Sequence, residues 1–195
     1  MTRKYNNIHA DKNGEYYYLN EYIPKNKKTP LYEDVVKHSG YILKYKKGDP
    51  RIIAFFVKIL NNIIYNYFYF YDLILPVPPS NSYLDVYSNA LVCSYISALG
   101  TVNTLEGAIV CDMGHKPGHI GDIESKKKDL AHISVADRYN FEEKNIIILD
   151  DILTTEKTFA RIKCDLLKKG ANTVTGLFLG KTCSARGFGV EDING

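Results

Sequence analysis

The feature that most constrains this chain is a run of four consecutive apolar residues, Ile146 to Leu149, followed directly by two aspartates. Three of the four are β-branched, and an uninterrupted apolar run of this length predicts a short strand buried on both faces of a sheet. Asp150 and Asp151 then lie at the carboxyl end of that strand, where open α/β sheets bind their ligands. The pattern therefore predicts a binding site at this edge of a parallel sheet.

An amphipathic segment follows the aspartates and predicts a helix. Its apolar residues recur at helical spacing, at Phe159, Ile162, Leu166 and Leu167. Gly170 is typical of the residue just past a helix, and a second apolar strand is predicted from Thr173 to Leu179. This order predicts a strand–loop–helix–strand unit of the right-handed parallel kind.

The loop between strand and helix carries groups suited to a phosphorylated sugar. A helix N-terminus offers unpaired backbone N–H groups to a phosphate, and the hydroxyls of Thr154, Thr155 and Thr158 add donors. Adjacent carboxylates suit a sugar diol or a hard cation such as Mg²⁺. Phosphate, diol and magnesium together describe a ribose 5-phosphate. An ordinary strand-to-helix turn with solvated acids is the alternative.

This stretch resembles the signature of type I phosphoribosyltransferases, a hydrophobic strand and two acids followed by Thr-Thr-Gly-x-Thr. Glu156 stands where that family has glycine. The resemblance implies phosphoribosyl pyrophosphate as substrate and Mg²⁺ as cofactor, held through the pyrophosphate and the ribose hydroxyls and not by a direct protein ligand. It implies that Asp150 and Asp151 are catalytic residues that hold the ribose hydroxyls. The residues implied for the 5-phosphate are Thr154, Thr155, Glu156, Lys157 and Thr158.

A narrower resemblance, to the ComF (competence-protein) group, rests on the runs Leu31–Glu33, Ile42–Asp49 and Tyr71–Pro79. In that group a similar run precedes a helix and then a strand ending in Pro-Val-Pro. The turn after this strand holds the pyrophosphate in the wider superfamily, which implies a pyrophosphate loop of Pro79, Ser80, Asn81 and Ser82. This chain lacks the zinc ribbon of ComF proteins, and Tyr83–Asn89 replaces their basic stretch after Pro-Val-Pro.

The segment from Asp112 to Asp122 has three glycines and a proline, which predicts a long loop. In the resembled family a mobile loop at this place closes over the substrate. His115 and Lys116 are therefore the candidate catalytic groups that reach the pyrophosphate, with His119 beside them. Lys181, just past the second predicted strand, is a candidate contact to the acceptor or pyrophosphate.

Other patterns place the remaining elements. Residues 1–30 predict a Tyr-rich β appendage and residues 31–46 a helix weakened at Gly40, and Pro50 is well placed to open the next helix. The apolar stretch Ile52–Tyr71 is interrupted by polar residues, which predicts a buried helix and not a membrane span. A further helix ends at Gly100, and its predicted buried face is Leu84, Tyr87, Leu91, Tyr95 and Leu99.

A length of 195 residues predicts a single domain. We expect an α/β fold with a mostly parallel sheet of about five strands flanked by helices. The predicted division is the 1–30 appendage and a phosphoribosyltransferase-like part at 31–195. A net charge of +3 and a pI near 8.5 are too mild to indicate nucleic-acid binding. Four separated cysteines without a CxxC pair and an N-terminus without an apolar signal core predict a cytoplasmic protein without a zinc site or a membrane partner. The resemblance adds a possible homodimer.

The leading hypothesis is a glycosyltransferase that moves a phosphoribosyl group from phosphoribosyl pyrophosphate to a nitrogenous acceptor and releases pyrophosphate. The alternative is a non-catalytic member of the same fold with a regulatory or interaction role, including a DNA-uptake or defence accessory. Glu156 and the missing basic residues after Pro79 favour the alternative. The acceptor has no signature in the sequence.

Overall fold

The computed structural model describes residues 8–24, 33–79, 87–111 and 133–182. Within these ranges the chain forms eight strands and four helices. The strands are β1 (His9–Ala10), β2 (Tyr16–Tyr22), β3 (Leu73–Pro76), β4 (Asn103–Thr104), β5 (Ile109–Cys111), β6 (Ile133–Val135), β7 (Asn145–Leu153) and β8 (Thr173–Thr182). The helices are α1 (Glu33–Lys46), α2 (Pro50–Tyr67), α3 (Ser88–Ala98) and α4 (Lys157–Lys168).

Six of these strands form one sheet in the order β1-β2-β8-β7-β3-β4. Every neighbouring pair is parallel except β1 with β2. Strand β7 lies inside the sheet, and its four apolar residues from Ile146 to Leu149 are fully buried. The predicted fold, one α/β domain with a mostly parallel sheet flanked by helices, is confirmed.

The two faces of β7 serve two apolar layers. Ile147 and Leu149 pack in the layer formed with α1, α2 and α3, whereas Ile146 and Ile148 pack in the layer that contains α4. Since both sides of the strand are covered, every residue of the run must be apolar. This explains why the strand reads as continuous and not alternating in the sequence.

The helix starts follow local rules. Pro50 begins α2 as predicted, and the Asp49 side chain accepts a hydrogen bond of 3.0 Å from the backbone N–H of Arg51. Helix α1 continues through Gly40 without interruption. No helix in the described part of the chain is long and apolar enough to cross a membrane.

The N-terminal strand differs from the expected appendage, because β2 pairs with β8 over most of its length. The parallel register runs from Tyr16 opposite Gly176 to Tyr22 opposite Thr182, and both tyrosines are buried. Strand β2 is therefore a hydrogen-bonded strand of the main sheet. The division of the chain at residue 30 stays a prediction.

The predicted buried face of α3 is wrong for the four of its five residues that the structure describes, and Leu84 lies outside the described residues. Val92, Cys93 and Ile96 are fully buried, while the side chains predicted to face the core, such as Tyr95 and Leu99, are 56% and 62% exposed. Apolar residues occur all round this helix, so helical spacing alone does not choose a face. Packing against α2 and the sheet decides it.

Candidate functional site

The two candidate aspartates lie within β7 and not beyond it, because the strand continues to Leu153. Asp150 pairs with Phe178 of β8, and both carboxylates are partly buried. Helix α4 begins at Lys157, so the paired carboxylates and the start of the helix meet at one edge of the sheet. The sequence predicted this arrangement correctly, apart from the extra length of the strand.

A buried amide ties Asp150 to the turn after β3. The Asn89 Nδ2 group donates to Asp150 Oδ1 at 3.3 Å and to the Val77 carbonyl oxygen at 3.0 Å. The Tyr45 hydroxyl donates to Asn89 Oδ1 at 2.8 Å. The ends of β3 and α1, the start of α3 and the aspartate of β7 are thus joined through one asparagine.

The surroundings of Asp150 raise its pKa toward neutral pH. Burial raises the pKa of Asp150 to about 7, with a second contribution from the charge of Asp151. The Asp151 backbone N–H, at 2.8 Å, and the charge of Lys46 oppose this rise. Lys46 also pairs with Asp151, with 3.2 Å between Nζ and Oδ2. Near neutral pH Asp150 therefore exchanges a proton beside Asp151 and Lys46.

Glu156 is the N-cap residue of α4, but its side chain makes no hydrogen bond to the helix. Its Oε1 atom instead accepts a hydrogen bond of 2.7 Å from the Tyr16 hydroxyl of β2. Lys181 Nζ donates to the same hydroxyl at 2.6 Å. The carboxylate is therefore turned to the sheet and not onto the N–H groups of the first helical turn.

The hydroxyl groups predicted to bind phosphate surround this helix start. Thr154, Thr155 and Lys157 are exposed, and Thr158 is partly buried in the first turn. Together with the start of α4 they place hydrogen-bond donors of the kind that suit an anion. The role of each in binding a 5-phosphate stays a prediction.

Several predicted site residues lie outside the described residues, namely His115, Lys116, His119, Ser80, Asn81 and Ser82. Pro79 is described and lies just past β3, where the Val77 N–H donates to the Leu149 carbonyl oxygen at 2.9 Å. The end of β3 thus lies beside Leu149, the residue before the two aspartates. Strands β5 and β6, which precede and follow residues 112–132, pair antiparallel with Cys111 opposite Ile133.

Sequence reasoning missed Lys46, Tyr45, Asn89 and Tyr16 as parts of this edge. Lys46 and Tyr45 belong to the run that resembles ComF proteins, which is a usable signal. Asn89 and Tyr16 have no local signal, because each meets its partner far along the chain.

Within the described ranges no group of three or more His, Cys, Asp or Glu side chains could hold a metal ion. Asp151 is paired with a lysine and Asp150 has a raised pKa, so these two residues do not form a closed magnesium cage. They fit Mg²⁺ only where the hydroxyls and pyrophosphate of a ligand supply its coordination. Two surface depressions of about 420 and 550 Å³ lie between α1 and α2 and along α4, and neither is lined by the aspartates.

No family model matches this chain, and no curated protein matches it. Solved structures do. A glutamine phosphoribosylpyrophosphate amidotransferase from B. subtilis is 21% identical with a TM-score of 0.38, over 55% of this chain and 22% of that one. A purine phosphoribosyltransferase from Pyrococcus horikoshii is 16% identical with a TM-score of 0.41, over 66% and 80%. A hypoxanthine phosphoribosyltransferase from Trypanosoma cruzi is 14% identical with a TM-score of 0.38, over 73% and 68%.

The chain spans about a fifth of the length of the amidotransferase. Identities and scores this low do not assign a function.

Proposed function

We propose that this protein binds phosphoribosyl pyrophosphate and transfers its phosphoribosyl group to a nitrogenous acceptor, with Mg²⁺ and release of pyrophosphate. The observation that carries the proposal is the edge of the sheet where Asp150 and Asp151, near the end of β7, are followed after two further residues by a threonine-rich loop that opens a helix. The bond from Tyr16 to Glu156 supports it further, because the residue that departs from the family signature is held away from the helix N–H groups.

In this proposal each group has a defined task. The first-turn N–H groups of α4 and the hydroxyls of Thr154, Thr155 and Thr158 bind the 5-phosphate. Asp150 and Asp151 accept hydrogen bonds from the ribose hydroxyls. Lys46, 3.2 Å from Asp151, offsets the charge of the carboxylate pair.

The reaction breaks the bond between ribose C1 and the pyrophosphate oxygen and forms a bond from C1 to the acceptor nitrogen. The protein contributes position and charge more than covalent chemistry. When bound, Mg²⁺ would supply positive charge to offset that of the pyrophosphate. Pro79, Ser80, Asn81 and Ser82 are proposed to contact that group, with His115 and Lys116 as further donors. We also propose a ComF-like subgroup, a cytoplasmic location and a homodimer.

Calorimetric titration with phosphoribosyl pyrophosphate, with and without Mg²⁺, tests the proposal. We expect saturable binding that strengthens with Mg²⁺ and weakens at least tenfold in Asp151→Asn, about 1.4 kcal/mol. Asp165→Asn, which changes a carboxylate paired with Arg161 on the surface of α4, is the matched control. Equal binding by both variants would argue against the proposed site.

The second candidate is a non-catalytic protein of this fold that acts through a partner. The exposed apolar side chains of α3, Leu91, Tyr95 and Leu99, favour this reading because they are available to a partner. Glu156 in place of glycine favours it also. Tight binding of phosphoribosyl pyrophosphate without pyrophosphate release for any nitrogenous base tested would support it, and salt-dependent DNA binding would indicate the DNA-uptake or defence role.

A further inference from the structure

Tyr16 is fixed in a buried aromatic cluster at the start of α4. The residue is 4% exposed, and its ring packs edge-on against Phe159 and Phe178, with centroid distances of 6.1 and 6.0 Å. Phe159 and Phe178 pack against each other at 5.9 Å. Because Phe159 belongs to the first turn of α4, the cluster fixes the start of this helix against strands β2 and β8.

Gly176 provides the space for these rings. A Cβ atom at this position would lie 2.6 Å from the Phe178 ring and 3.0 Å from both the Phe159 ring and the Tyr16 Cβ. Any larger residue would displace the cluster. The orientation of Tyr16 is therefore set by the backbone of β8 as well as by its neighbours.

The hydrogen bonds of the Tyr16 hydroxyl have only one consistent direction. An ammonium group only donates, so the phenol oxygen accepts from Lys181, at 2.6 Å, and its single proton goes to Glu156 Oε1, at 2.7 Å. Lys181 Nζ also lies 4.9 Å from the centre of the Tyr16 ring and 5.7 Å from that of Tyr18. These contacts hold the lysine in place and direct the phenol proton toward the carboxylate.

A second contact joins the same strand region to the same helix. Glu15 Oε1 lies 3.1 Å from Lys163 Nζ of α4. The start of β2 therefore touches α4 at its N-cap and again two turns along. The position of the helix start depends on the N-terminal strand.

We propose that Tyr16, oriented by Lys181, is a positioning residue that holds the Glu156 carboxylate away from the N–H groups of α4 so that the loop can accept a phosphate. This inference rests on the proposed function. It makes strand β2 part of the binding site, although none of its residues needs to touch the ligand.

The physical reason is a competition for one site. A carboxylate released near a helix N-terminus is attracted to the unpaired N–H groups there. In that position it would occupy the phosphate site and repel the phosphate. The Tyr16 hydroxyl gives the Glu156 carboxylate another donor, and the loop keeps its own donors for the ligand.

Four proteins test the inference in titrations with phosphoribosyl pyrophosphate and Mg²⁺: the native chain, Tyr16→Phe, Glu156→Gln and the double variant. We expect Tyr16→Phe to bind at least tenfold more weakly and Glu156→Gln to bind within tenfold of the native chain. The double variant should return to within threefold of Glu156→Gln, because a neutral amide no longer competes with the phosphate. Tyr17→Phe is the control, since Tyr17 is the next residue of β2 and packs against Phe68 on the other layer.

Failure of rescue in the double variant would show that Tyr16 acts only by supporting the fold, and would overturn the inference. The inference would also be overturned if the native chain did not bind and the Glu156→Gly variant did, because Glu156 would then block the loop. The same four proteins, unfolded in urea, should show a coupling of at least fivefold in the unfolding constant between Tyr16 and Glu156. Absence of binding in all four proteins would overturn the proposed function. Absence of this coupling would instead overturn the inference that Tyr16 positions the Glu156 carboxylate.

Discussion

Replacing Asp150 by Asn should remove a pH dependence of stability that this single carboxyl creates. Burial, and then the charge of Asp151, raises the pKa of Asp150 from its ordinary 3.8 to about 7 in the folded protein. Between these two values the folded state keeps a proton that the unfolded state has lost. The free energy of unfolding contributed by Asp150 is therefore fully present below about pH 3.8 and is lost as the pH rises through about 7.

The size of this effect follows from the shift. A rise from 3.8 to about 7 corresponds to about 4 kcal/mol over the whole window. Between pH 5 and pH 8 the part that is lost is about 3 kcal/mol, most of it below pH 7. The groups that face the Asp150 carboxyl are Asp151, Lys46, Asn89 and the buried Tyr45.

His38 acts with the opposite sign and must be separated from this effect. Its ring is buried, its Nε2 atom donates to the Leu179 carbonyl oxygen at 2.6 Å, and burial lowers the pKa of His38 below 6.5. The folded state binds fewer protons at this group, so its contribution to stability rises with pH up to about 6.5. His38 is present in both the native chain and the Asp150→Asn variant, so its contribution cancels in the difference between their free energies of unfolding.

The assay is urea unfolding of both proteins at pH 5, 6, 7 and 8, with Asp165→Asn as a surface control. We expect the native stability, relative to the Asp150→Asn variant, to fall by about 3 kcal/mol from pH 5 to pH 8. The control should follow the native chain at every pH. A difference that stays constant or grows with pH would refute the reasoning that Asp150 is protonated near neutrality.

Three further outcomes follow from the structure. Asp151→Asn should leave the melting temperature within about 4 °C of the native value by calorimetry, because the ion pair with Lys46 is partly exposed and contributes at most about 1 kcal/mol to stability. A larger fall in the melting temperature would mark the residue as structural. Glu156→Gly should change the affinity for phosphoribosyl pyrophosphate by less than tenfold in titration, and a gain of about 10²-fold would show that the native carboxylate blocks the site. Gly176→Ala should lower the free energy of unfolding in urea by about 1–3 kcal/mol, because its Cβ would meet an aromatic ring at 2.6 Å. Gly40→Ala, at a helical site with no atom within 4 Å, should raise it by up to about 1 kcal/mol. Equal effects of the two substitutions would contradict the packing argument.

The local pattern of the sequence determined the unit from β7 to β8. A β-branched run buried on both sides, an amphipathic period and a terminal glycine each report on structure within a few residues. Gly170 adopts a φ of +89°, which is the conformation that ends α4 as predicted. The paired aspartates beside a helix start were predictable for the same reason.

The tertiary structure alone decided what surrounds those aspartates. Asn89 reaches Asp150 across 61 positions of the chain, and Tyr16 reaches Glu156 across 140. Contacts at such separations leave no periodicity in the sequence, because they depend on the order of strands in the sheet. The sequence therefore indicated that Glu156 was unusual but not where its carboxylate points.

Helix α3 shows the same limit at the level of packing. Its apolar residues cover both sides, so the period that oriented α4 correctly, apart from the exposed Leu167, gave the wrong buried face here. Val92 and Ile96 are fully buried because α2 and the sheet cover that side, and Tyr95 stays exposed. Burial is a property of the assembled layers, and a sequence with apolar residues on every side of a helix does not contain that choice.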